Sequence, residues 1–181
     1  MRAKLTATTL LIGAFTLLAA CAASTGGTRS TDRPPVELRA PALDGGVIDV
    51  SRYRGSVVVV HIFAPSEPSI AGDVEQLRAI HLGDSDVVVI GVALEAGGYS
   101  MVTPWRRAMD VEYLLALVTE PSELHSAHLA ALETVPTTLI LDARGRMTHR
   151  VDRALHRGEL AQLLAPLRAN ISAGRHPPRP G

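Results

Sequence analysis

The sequence predicts an α/β domain in which helices cover a central, mixed β-sheet. Residues 57–63 and 87–94 are continuous apolar runs, which is typical of strands buried on both faces of a sheet. Apolar residues recur at helical spacing between these runs, and a strand hairpin followed by a helix closes the pattern. This alternation favours one sheet with helices packed against it.

The first half of the domain begins at the turn Asp44-Gly45-Gly46, which precedes a short strand predicted over 47–50. A helix is predicted over 70–82, because its apolar residues recur on one helical face. It joins the two buried strands.

The second half continues with a helix that is predicted to open at Thr103, with Thr103 as the cap and Pro104 at the first helical position. A short strand over 114–118 and a helix over 121–132 follow. A hairpin and a last helix then complete the domain. Their predicted parts are a strand over 137–141, a turn over 142–145, a strand over 147–151 and a helix over 159–167.

The chain divides into four predicted segments. Residues 1–20 form a signal peptide, because a basic start, an apolar stretch too short to span a bilayer and a small-residue end follow one another. Residues 21–35 are small and polar and end in two prolines, which predicts a flexible tether. The domain itself occupies residues 36–170, and a disordered tail occupies residues 171–181.

Cys21 is the only cysteine in the chain, and it closes the run Leu18-Ala19-Ala20-Cys21. This run resembles the lipobox of bacterial lipoproteins, which implies that Cys21 is acylated and becomes the mature N-terminus. Acyl chains would hold the protein at a membrane, so we expect it in the bacterial cell envelope, facing the periplasm or the surface. Ala22 follows the cysteine where Asp would suggest inner-membrane retention, which slightly favours the outer membrane. The alternative is a signal cleaved elsewhere, with Cys21 incidental.

The charge of the chain is balanced, with 18 Lys and Arg against 18 Asp and Glu. A formal net charge of +0 implies neither a nucleic acid nor an anionic surface as a partner. No segment after the signal is long and apolar enough to cross a membrane. The sequence predicts no cofactor.

Three stretches carry a resemblance to a known family. Residues 41–46 with 50–55 look like an entry motif, residues 57–64 like a central strand, and residues 135–142 with Gly145 like a cis-proline loop and its hairpin. Together they resemble the thioredoxin fold, and within it the redoxin-type, membrane-anchored thiol–disulfide oxidoreductases. The resemblance implies a thioredoxin-like domain.

The Cys-x-x-Cys active site of that family is missing. The corresponding loop contains Ser66, Glu67, Pro68, Ser69 and Ile70, and Glu67 and Ile70 stand where the two cysteines would be. Neither side chain can form a mixed disulfide, which needs a thiolate. The serines lack the setting of a nucleophile, which favours helix capping as their role. The sequence therefore predicts a degenerate active-site loop and assigns no catalytic residue.

The run Val135-Pro136-Thr137 is the counterpart of the family's cis-proline groove. The resemblance implies that Pro136 is cis and faces the degenerate loop. Backbone at such an edge can pair with an extended peptide. An extended peptide or an envelope protein is therefore one candidate partner, and retention of Pro136 only to shape the turn is the alternative.

A hypothesis from another class is a metal-binding protein or a non-thiol enzyme. His125 and His128 are spaced i, i+3 on a predicted helix and could hold a metal together with a third ligand. Glu67 could be a functional carboxylate, or simply a carboxylate favoured by the helix dipole. His61 lies in a buried strand, which favours a core histidine bonded to a neighbour.

These observations together favour a lipid-anchored, redox-inactive thioredoxin-like domain that binds or scaffolds other molecules at the cell envelope. An accessory partner of an envelope thiol–disulfide oxidoreductase fits the same features.

Overall fold

The computed structural model describes residues 34–120, 123, 126 and 132–175. Ten regular elements follow one another in this part of the chain. They are β1 (Arg39–Pro41), β2 (Val47–Asp49), β3 (Val57–Phe63), α1 (Ala71–Gly83), β4 (Val87–Leu94), α2 (Tyr99–Ala108), β5 (Leu114–Val118), β6 (Thr137–Leu141), β7 (Met147–Val151) and α3 (Glu159–Arg175). Short 3-10 turns cover Val50–Tyr53 and Pro68–Ile70.

A five-stranded sheet has the order β5-β4-β3-β6-β7. Strands β3, β4 and β5 are parallel, whereas β6 and β7 are antiparallel to their neighbours. All five strands begin and end at the predicted residues, which confirms the predicted mixed sheet. The agreement reflects how strongly a continuous apolar run favours a central strand.

Alternate residues of β3 point to opposite faces of the sheet and pack in two different apolar layers. Val58, Val60 and Ile62 point into a core shared with the antiparallel hairpin β1–β2. Val57 and Val59 pack on the other face against residues of α1 and α3. The sheet is therefore covered on both faces, and β1 is too short for its own sequence pattern to have predicted it.

The helix α2 begins at Tyr99, so the prediction that it opens at Thr103 was wrong. Gly98 is the N-cap residue with φ +61°, a conformation that glycine adopts far more readily than other residues. The helix therefore begins one helical turn earlier than the Thr-Pro signal indicated. Pro104 consequently lies inside the helix.

The helix α3 runs to Arg175, past the predicted end at 167, so the predicted domain boundary at 170 falls inside it. The tail beyond residue 175 and most of the helix predicted over 121–132 lie outside the described residues. No helix in the described ranges is long and apolar enough to span a membrane.

Candidate functional site

The degenerate loop and the proline loop lie at one edge of the sheet. Strand β3 ends there, and β6, which is antiparallel to it, begins there, because Ile62 pairs with Thr137. The loop 64–70 after β3 and the segment 132–136 before β6 are therefore neighbours. We call this edge, where β4 and β5 also end, the site edge.

The loop 64–70 is held by its own backbone. The Glu67 amide donates to the Ala64 carbonyl at 3.0 Å, and the Ile70 amide donates to the Glu67 carbonyl at 3.4 Å. The residues at the helix-capping positions are Glu67 and Ile70, and neither provides a side-chain cap, so the expected capping by Ser66 or Ser69 was wrong. Residues 66–69 are exposed.

Glu67 and Ile70, which the sequence resemblance aligns with the family's cysteines, differ sharply in burial. Glu67 is exposed, whereas Ile70 is only 2% exposed and belongs to an apolar cluster. The other buried members of that cluster are Leu43, Phe63, Ala93, Val102, Leu115 and Leu117. Ile70 is therefore a core residue, and the loop presents one carboxylate and two serines to solvent.

The Val135–Pro136 peptide bond is cis, as the resemblance implied. Pro136 is buried, and Val135 is 36% exposed. The Thr137 hydroxyl lies 2.8 Å from the Thr134 carbonyl and 3.0 Å from the Asp152 carboxylate, so these two polar groups hold the start of β6. An apolar side chain is thus exposed directly before a fixed backbone turn.

His61 is a core histidine, as its position in a buried strand predicted. It is 0% exposed, and its Nδ1 lies 2.9 Å from the Thr138 hydroxyl on the neighbouring strand. Its ring stacks on Phe63 with 5.4 Å between the centroids. On the other side it pairs in register with Gly91, which has no side chain to occupy the same face.

Asp73 on α1 faces this histidine from the opposite side. Its Oδ2 lies 3.7 Å from His61 Nε2, and its Oδ1 accepts the Leu155 amide at 2.8 Å. Burial lowers the pKa of His61 to about 4 and raises the pKa of Asp73 to about 6, because both side chains are almost completely shielded from water. Burial of charge therefore favours an uncharged pair.

Perturbed titratable groups often mark active sites, but this pair is sealed. Asp73 is 1% exposed and His61 is 0% exposed, so neither can touch a molecule bound at the surface. Sequence reasoning missed Asp73 as a partner. The available signal was its position four residues before Leu77, on the apolar face of the helix.

Three of the proposed site residues, Cys21, His125 and His128, lie outside the described residues. Within the described ranges, no group of three or more His, Cys, Asp and Glu residues is arranged to hold a metal ion.

No protein-family model matches the chain, and no curated protein matches it in sequence. Solved structures do match. A thiol-disulfide isomerase from Corynebacterium glutamicum is 21% identical with a TM-score of 0.64, over 75% of this chain and 96% of that one. The exposed lipoprotein thioredoxin Etrx1 from Streptococcus pneumoniae is 16% identical with a TM-score of 0.60, over 72% and 99%.

A secreted disulfide oxidoreductase from Mycobacterium tuberculosis is also similar, with 16% identity and a TM-score of 0.58, over 72% of this chain and 94% of that one. Identities at this level establish the fold and nothing finer. The chain has a thioredoxin-like fold, and its structural neighbours are thiol–disulfide oxidoreductases. Its single cysteine, at position 21, is consistent with a missing Cys-x-x-Cys motif.

Proposed function

We propose that this protein is a lipid-anchored thioredoxin-like domain of the bacterial cell envelope that binds an extended peptide or an envelope protein without redox catalysis. One observation carries the proposal. The positions predicted for the two active-site cysteines hold an exposed carboxylate, Glu67, and a buried apolar side chain, Ile70, while Val135 is 36% exposed at the neighbouring start of β6. A fold can keep its binding geometry after its chemistry has been lost.

The binding surface is the groove between residues 66–68 and 135–136. An extended peptide could add a strand along the backbone before Pro136, where Val135 is partly exposed. Pro68 is exposed on the facing loop and offers further apolar surface. Backbone pairing of this kind needs no thiol.

The anchor is tested by metabolic labelling with a palmitate analogue. Wild-type protein should take up the label and stay in the membrane fraction, while Cys21→Ser should take up none and be released. The matched control is Ser24→Ala, which changes a nearby residue and should leave both properties intact. A membrane-bound Cys21→Ser variant beside an unlabelled wild type would refute the anchor.

The absence of redox catalysis is tested by insulin reduction with the Cys21→Ser chain. We expect no turnover above the uncatalysed rate, because residues 22–181 contain no thiol. Turnover that depends on the protein would overturn this part of the proposal.

The groove is tested with carboxymethylated insulin B chain, an extended polypeptide that has no free thiol. We expect Val135→Asp to weaken its binding about fivefold or more, since a charge would replace a central apolar contact. Leu82→Asp is the matched control, because Leu82 is an apolar residue 68% exposed near the far end of α1. Equal binding by both variants would remove the groove from the proposal.

A further inference from the structure

Arginines collect at one corner of the domain, at the edge of the sheet opposite the site edge. The Arg54 guanidinium lies directly over Gly145, and its Nη2 donates to the Val36 carbonyl at 3.4 Å. Gly145 belongs to the turn between β6 and β7, which also carries Arg144 and Arg146. Arg52 lies two residues before Arg54 in the 3-10 turn. We call Arg52, Arg54, Arg144 and Arg146 the basic corner.

The corner has more positive than negative charge. Arg52 and Arg144 are exposed, and neither forms a salt bridge within 4 Å in the described part of the chain. Arg52 is nevertheless close enough to Asp49 to help lower the pKa of that carboxyl, after the larger effect of the Ser51 hydrogen bond. The Asp142 carboxylate in the same turn accepts the backbone amides of Arg144 and Arg146, at 2.9 and 2.8 Å. Glu37 is another carboxylate near Val36 in sequence, and Asp49 caps the 3-10 turn that carries Arg52. Asp49 is shared with a further arginine, Arg39, at 3.5 Å, so the four arginines of the corner face three acids, one of which is already paired. The balanced charge of the whole chain conceals this local excess.

The N-terminal segment enters the fold at this same corner. The Val36 amide donates to the Gly145 carbonyl at 2.8 Å, which fixes the chain beside the arginine-bearing turn. Cys21 precedes Val36 by 15 residues, a distance that can span at most about 50 Å. An acyl anchor on Cys21 therefore keeps the domain within about 50 Å of the lipid surface, and the tether joins the domain at this corner.

We propose that the basic corner docks on anionic phospholipid headgroups. The proposal rests on the proposed lipid anchor, which brings the domain close to the membrane. The positive charge of the corner gives the preference for anionic headgroups. A polybasic patch strengthens the membrane binding that acyl chains provide. Docking would also set the orientation of the domain. Strand β3 separates the corner from the site edge by about 20 Å, so the groove would face away from the lipid.

The test uses the mature chain, residues 21–181, with Cys21→Ser so that no acyl chain contributes. Binding is measured by sedimentation with vesicles of phosphatidylcholine alone and of phosphatidylcholine with about one third phosphatidylglycerol, at low salt. We expect binding only to the anionic vesicles, and its loss at high salt, because the attraction is screened.

The double variant Arg52→Gln/Arg144→Gln should lower vesicle binding by about fivefold for each arginine, or about 25-fold together. The matched control is Arg107→Gln/Arg157→Gln, which removes two exposed arginines outside the corner. It should lower binding less than about twofold. Circular dichroism checks that both variants are folded.

Three results would overturn the proposal: no binding to anionic vesicles, equal losses in the two double variants, or binding to polyglutamate without binding to vesicles. The last would indicate an acidic protein partner. Because no acyl chain is present in this experiment, its failure leaves the anchor to be judged by the labelling of Cys21.

Discussion

The loop 64–70 differs from His61 and Asp73, on either side of it in sequence, in whether its ionisable group can be reached from solvent. The sequence resemblance aligns the loop with the family's active site, yet its Glu67 is exposed and its Ile70 is part of the core. His61 before the loop and Asp73 after it have strongly shifted pKa values, yet both are shielded from solvent. A perturbed pKa therefore indicates a functional site only where a substrate can reach the group.

Introducing a Cys-x-x-Cys pair into the loop should produce the largest change in activity. The Glu67→Cys/Ile70→Cys variant in a Cys21→Ser background should form an internal disulfide. The hydrogen bond between residues 67 and 70 closes a turn, and such turns bring Cα atoms within about 7 Å, close to the range that disulfides need. Insulin reduction should rise from the uncatalysed rate to measurable turnover, because a helix start lowers the pKa of the first thiol.

The control for this experiment is Ser66→Cys/Ser69→Cys, which shifts the pair by one residue and leaves Ile70 in the core. Thiol titration and mass spectrometry report whether each bridge forms. A folded Glu67→Cys/Ile70→Cys variant that forms no bridge would show that these are not the cysteine-equivalent positions.

The pH dependence of stability tests the buried pair. The pKa of His61 falls from 6.5 to about 4 on folding, so the unfolded chain takes up a proton first and the fold loses stability as pH falls through this range. The pKa of Asp73 rises from 3.8 to about 6 on folding, so the folded chain takes up this proton first as pH falls. The fold therefore gains stability as pH falls from about 6 to 3.8. In the wild type the two effects should nearly cancel between pH 4 and 6.

Single substitutions should separate the two effects. Asp73→Asn should lose roughly 3 kcal/mol of unfolding free energy between about pH 6.5 and 4, and His61→Gln should gain a similar amount between about pH 6 and 4. Arg78, Arg153 and Glu159, which act on Asp73 or on nearby Tyr113, are unchanged in both variants. Urea titrations across this range measure the slopes. Equal slopes in the wild type and both variants would show that the pair is not coupled to folding.

Shortening the side chains of Glu67 and Ile70 should show which of the two contributes to the core. Ile70→Ala should cost roughly 2–4 kcal/mol of unfolding free energy, because it leaves a cavity in a packed cluster. Glu67→Ala should change it by less than about 0.5 kcal/mol, since Glu67 is exposed and makes no capping bond. Similar costs for the two variants, measured by urea unfolding, would contradict the difference in burial.

A small effect of the opposite sign is expected at Tyr113, which lies in the same layer as the buried pair. Its hydroxyl is buried without a hydrogen-bond partner among the described residues, and burial raises its pKa. Tyr113→Phe should therefore be neutral or stabilising, by up to about 1 kcal/mol. The T-shaped contact with His81 needs only the ring and should remain. A destabilisation above about 1 kcal/mol would mean that the hydroxyl is satisfied.

Much of the architecture was determined by local sequence. The strands of the central sheet were predicted at their observed bounds. The continuous apolar runs of β3 and β4 are typical of central strands, and the turn over 142–145 marked the hairpin of β6 and β7. The resemblance around Val135-Pro136-Thr137 indicated the cis bond that the structure contains. The start of α2 was missed because the Thr-Pro signal competed with Gly98, whose backbone conformation decides the boundary.

Tertiary structure alone decided which side chains meet. Asp73 and His61 lie 12 residues apart on different elements, and only the packing of α1 on the sheet brings them to 3.7 Å. Arg54 meets the turn at Gly145 for the same reason, across 91 residues of chain. Periodicity and composition describe neighbours along the chain, whereas burial, pKa shifts and local charge depend on neighbours in space, which are set only when the layers of the fold assemble.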